Sequence, residues 1–111
     1  MWRSFENGHT IGSVGSENGL ILRDDEHSLG ARITLERDTR VAPFAITCGV
    51  YGWMFHTRFF SDSSEAEAQF SLMKAALAQI LQVIPLVSDP AKAPKMRAVR
   101  DALDAFVQRY P

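Results

Sequence analysis

Phe44-Ala45-Ile46-Thr47-Cys48-Gly49-Val50-Tyr51-Gly52-Trp53-Met54-Phe55-His56-Thr57-Arg58-Phe59-Phe60 is a long, largely apolar run broken by Gly49 and Gly52. Typical strands have about five or six residues, so the run is too long for one strand and predicts a hairpin turning near Tyr51-Gly52. Side chains alternate along a strand. On the second arm, Trp53, Phe55, Thr57 and Phe59 then fall on one face, expected to be core beneath the helices, and Met54, His56, Arg58 and Phe60 fall on the other. Pairing through the Tyr51-Gly52 turn would bring Thr47, Gly49 and Tyr51 to the face bearing His56, with Arg32, Thr34 and Glu36 farther across it.

Upstream, Ala31, Ile33 and Leu35 alternate with Arg32, Thr34 and Glu36, the period-two pattern of a strand with one face inward and one wet. Leu20 to Asp25 predicts another strand. Turn residues recur at Asn7-Gly8, Asn18-Gly19, Gly30 and Pro43. Residues 1–18 read as a weak edge strand or an ordered loop, with His9 to Ser16 the segment in question.

Downstream of Ser61 the period changes. Asp62 with Glu65 and Ser64 with Glu67 form overlapping capping boxes, and Phe70, Met73, Leu77, Leu81 and Ile84 follow at helical spacing until Pro85. Between Phe70 and Ile84 the one charged residue is Lys74, so this helix is expected to be covered on more than one side. A second helix is predicted from about Lys95 to Tyr110, with Met96, Val99, Leu103, Phe106 and Tyr110 as its seam. Runs of strands followed by runs of helices predict an α+β fold: an antiparallel meander of four or five strands, then two antiparallel C-terminal helices packed on one face. The chain reads as a single domain over 1–111, with the sheet in 19–60 and the helices in 63–110.

The chain has 111 residues, 46% apolar and 23% charged, with a formal net charge of −1. That balance argues against a nucleic-acid partner, whose phosphates are met by an excess of Lys and Arg. The single cysteine, Cys48, excludes an internal disulfide and, with no zinc-type Cys/His spacing, gives no expected metal site. No apolar stretch predicts a membrane span or signal peptide, so the expected location is the cytoplasm.

Motifs that carry chemistry are sparse. Gly12-Ser13-Val14-Gly15-Ser16-Glu17-Asn18-Gly19 has the glycine content of a phosphate cradle, but it runs into a strand rather than a helix and reads as turns. Asp24, Asp25, Glu26 and His27 put three carboxylates beside an imidazole, a pattern that suits a solvated turn better than a cation site. Cys48 falls on an apolar strand face and reads as a small hydrophobe. Lys92, Lys95, Arg97 and Arg100 surround the second helix start, where the helix dipole favours anions, while Asp62, Glu65 and Glu67 surround the first.

No cofactor and no catalytic set follows from these residues. The leading expectation is a non-catalytic adaptor or chaperone-like interaction module that self-associates as a homodimer or binds a protein partner. Its expected interface is the low-charge helix stripe Leu72, Ala76, Gln79 and Val83. The alternative is a small-molecule site, anion-binding or enzymatic, using Tyr51, His56 and Arg58.

Overall fold

A computed structural model describes residues 1–111, and the fold is α+β, a five-stranded antiparallel meander followed by two helices. The strands are β1 (Trp2–Ser4), β2 (Leu20–His27), β3 (Ala31–Arg37), β4 (Phe44–Val50) and β5 (Met54–Phe60), in spatial order β1-β2-β3-β4-β5. Helix α1 spans Ser63–Gln82 and α2 spans Lys92–Arg109. The N-terminal strand, β1, is three residues at Trp2–Ser4, whereas His9 to Ser16 forms turns with a single bridge from Val14 to Leu20.

Alternation along the strands divides the sheet into two faces. Ala31, Ile33, Leu35, Ile46, Cys48 and Val50 point at the helices and are buried with Phe70, Met73, Leu77, Val99, Leu103 and Phe106. Helix α1 begins at an Asp62 cap, whose carboxylate accepts the Glu65 N–H at 2.9 Å. Its buried stripe, Ala66, Phe70, Met73, Leu77, Ile80 and Leu81, has the spacing of one helix face. Helix α2 starts earlier than periodicity predicts, at Lys92, because Pro94 falls in its first turn, where an N–H has no intrahelical partner to lose.

The β4–β5 connection differs from the sequence expectation by one residue. Trp53 N–H donates to Val50 O at 2.9 Å and Val50 pairs with Met54, so the loop is Tyr51-Gly52-Trp53, with Gly52 at φ 81°. A register change of one residue turns every side chain of a strand to the other face. Consequently Met54, His56, Arg58 and Phe60 lie on the helix-covered face, opposite Val50, Cys48, Ile46 and Phe44. Phe55, Thr57 and Phe59, expected in the core, are on the second face, and Phe55 is 84% exposed.

The second face is not uniformly wet. Residues 5–19 fold back over β2 and β3 and bury Asp24, Thr34 and Glu36, while the β4–β5 part carries no such cover.

Candidate functional site

The back-folded segment leaves a cleft of about 550 Å³ between itself and the sheet. Thr34, Thr47 and Gly49 form its floor, Ser13 to Ser16 one wall, Phe5, Arg32 and Tyr51 one end, and Phe55 the open rim. Such a volume is within the usual range for small-ligand pockets.

A buried polar network holds the segment down. The Asp24 carboxylate accepts two N–H bonds from Arg32, at 2.8 and 2.7 Å, and O–H bonds from Thr34 at 3.2 Å and Thr10 at 2.8 Å. The Arg32 guanidinium also stacks on Phe5, 3.7 Å from the ring centroid. Its charge is thus already committed on both sides, and its pKa is raised chiefly by the hydrogen bond to Asp24.

At the other end, the glycine-rich stretch does cradle an anion, and the anion is the chain's own Glu36. Backbone N–H groups of Gly19 and Glu17 donate to Glu36 Oε1 at 3.0 and 3.2 Å. Gly15 approaches so closely that a Cβ there would lie 2.4 Å from the Glu36 carboxyl carbon. Burial pushes the Glu36 carboxyl above its ordinary pKa, and the two N–H bonds pull it part of the way back.

The three residues expected to form one ligand site are separated by the register of β5. Tyr51 is on the cleft side, where its hydroxyl donates to Glu26 at 2.8 Å. Partial burial first, and that hydrogen bond second, push its pKa up to about 12. His56 and Arg58 are on the helix side and bind the end of α2: His56 Nε2 contacts Tyr110 O, and Arg58 Nε donates to Pro111 O at 3.0 Å. Arg58 also donates to Gln69 Oε1 at 2.8 Å. The expected shared face of Tyr51 with His56 and Arg58 is therefore corrected by the three-residue loop, while the pairing of His56 with Arg58 on one side stands.

The expected interface stripe lies along the outer side of α1. Leu72 and Val83 are 50% and 53% exposed, Gln79 is exposed and Ala76 half-buried. Ala76, Gln79 and Val83 line a shallow groove with Ala102, Ala105 and Phe106 of α2.

The acidic run near His27 is dispersed rather than convergent. Asp24 goes to Arg32, Asp25 to Lys74 at 2.8 Å, and Glu26 to Tyr51, while His27 contacts the Met1 amino group at 2.8 Å and Trp2 edge-on. No three His, Cys, Asp or Glu side chains converge as metal ligands. Cys48 is buried, and desolvation pushes its pKa up to about 12, far from a reactive thiolate. No helix is long and apolar enough to cross a membrane.

The cover of residues 5–19 over the second face escaped sequence reasoning. Its available signal was Glu36, a carboxylate at the centre of a strand, together with the glycines that would have to approach it. No family model, curated protein or solved structure matches the chain.

Proposed function

We propose that the chain is a non-catalytic protein-interaction module of adaptor or chaperone-like kind that self-associates as a homodimer. The observation that carries this reading is Phe55, 84% exposed, with Phe59 at 43% four residues along the same face of β5. Single exposed apolar residues need no explanation, but two phenylalanines aligned on an edge strand are a pattern that monomers avoid. The groups that could do chemistry are engaged elsewhere: Arg32 by Asp24, Glu36 by backbone N–H groups, His56 by the α2 terminus. Cys48, buried and unpaired, fits a reducing compartment, the cytoplasm.

Sedimentation velocity across the micromolar range tests the reading. The weight-average mass is expected to rise from 12.4 kDa toward twice that value. A mass that stays at the single-chain value at every concentration refutes it.

The cleft favours a second function, binding of a small uncharged molecule. Its hydroxyls, Thr10, Ser13, Ser16, Thr34 and Thr47, lie among the rings of Phe5, Tyr51 and Phe55. With Arg32 neutralised by Asp24, an aromatic alcohol or amide suits the site better than an anion. Thermal-shift measurements with uncharged aromatic fragments against benzoate-type anions test this: a shift for the neutral set is expected, and none for either set rules it out.

A further inference from the structure

We infer that the partner in self-association is a second copy bound through β5, its strand paired antiparallel with its own equivalent about a two-fold axis at Thr57. The inference rests on the self-association proposed above and names its surface. β5 has β4 on one side and no strand on the other. None of the backbone hydrogen bonds outside helices and strands involves residues 54–60, so the outward N–H and C=O groups of β5 present an unused ladder. Two of the usual protections of an edge, a proline and a bulge, are missing. β5 contains no proline, and its register with β4 runs without a bulge from Val50↔Met54 to Phe44↔Phe60. Its one fixed charge, Arg58, is turned to the helix face and held by Gln69 and Pro111.

The order of residues in β5 is self-complementary. Antiparallel pairing centred on Thr57 sets Phe55 of each copy opposite Phe59 of the other, twice, on the second face. Aromatic cross-strand pairs are among the stabilising pairs of a sheet. Within the chain these rings have only small neighbours on β4: Phe55 is opposite Gly49 and Phe59 opposite Ala45. Their pairing capacity on the outer side is therefore unspent. Met54 meets Phe60 on the helix face in the same arrangement.

Charge supports a second copy as the occupant. Helix α1 begins just beyond Phe60, at Asp62 and Glu65, whereas α2 begins beside the far end of α1, where Lys95 and Ala98 share a recess with Gln82 and Ile84. The two helix starts of one copy are thus oppositely charged. Antiparallel pairing brings the Lys92, Arg97 and Arg100 end of each copy alongside the Asp62 and Glu65 end of the other.

Cysteine cross-linking with the full chain tests this. Opposed residues of an antiparallel pair have Cα atoms about 4.5–5.5 Å apart, within disulfide reach. Under mild oxidation Thr57→Cys is expected to give a covalent dimer and Leu72→Cys, on the outer side of α1, none. Phe55→Lys, at an exposed position, is expected to sediment as a monomer and to unfold at the midpoint that the native chain shows when dilute enough to be monomeric. A dimer that cross-links through Leu72→Cys and not through Thr57→Cys overturns β5 pairing while leaving self-association intact. A chain that stays monomeric at every concentration overturns both.

Discussion

Glu36 has no exposed surface, yet its position in the alternation of β3 places it among residues that face water in an ordinary half-buried strand. Because burial raises its pKa, the folded chain holds this proton more tightly than the unfolded chain does. The contribution of Glu36 to stability is therefore greatest below the ordinary carboxylate pKa and declines as pH rises to the folded-state value. Glu36→Gln removes the titration. In urea unfolding from about pH 4 to 8, the variant is expected to gain stability relative to the native chain as pH rises, then level off. A relative loss with rising pH would mean that the N–H cradle outweighs desolvation. Two of the closely packed glycines, Gly15 and Gly49, should respond differently to a methyl group. Gly15→Ala drives a Cβ into the fixed Glu36 carboxyl and is expected to cost about 1–3 kcal/mol. Gly49→Ala meets the edge of Phe55 at 2.9 Å, a ring free to turn into solvent, and should cost about 0.5 kcal/mol or less. The difference between their urea midpoints checks which neighbour yields.

Among the elements, β3, α1 and the order of strands were legible in the sequence because each rests on local periodicity. The Ala31-Ile33-Leu35 alternation and the Phe70-Met73-Leu77-Leu81 stripe carry their own orientation. The orientation of β5 was not legible, because both of its faces are apolar enough to be core and only the loop length decides between them. Tyr51-Gly52 and Tyr51-Gly52-Trp53 differ by one residue, and that residue separates Tyr51 from His56 and Arg58. Deleting Gly52 therefore tests the connection. Shortening the loop must either strain it or slip β5 by one position, exposing Phe60 and burying Thr57, and is expected to cost about 3 kcal/mol or more. Gly52→Ala keeps the length and meets only the left-handed φ, so about 1 kcal/mol is expected. Chemical unfolding of the two variants separates loop length from loop conformation.

For the whole molecule, residues 5–19 turn a two-layer fold into one with partial cover on both sheet faces. The glycines of that segment do not announce it by themselves, because its attachment depends on Asp24 and Glu36, which are distant along the chain. Cys48, at the centre of β4 and buried in the core on the side that packs against α1, reports when the fold opens. Its labelling by a thiol reagent at neutral pH is expected to follow global unfolding, with the same denaturant dependence as loss of fluorescence from Trp2 and Trp53. Labelling that is fast in native buffer would show that the helices separate from the sheet without unfolding it.

The two sheet edges are unequal: β5 offers seven residues, whereas β1 offers three, Trp2 to Ser4. A sheet with two good edges can be lengthened without limit, each added copy exposing a fresh strand for the next. In the β5-paired dimer proposed above, the strand that joins copies is consumed by joining, and the strand left at either outer end is the short one. In that arrangement addition would halt after a single step, giving a closed pair with ten strands in one sheet and no seed for a fibril, even though such a joining strand is the kind that elsewhere nucleates one.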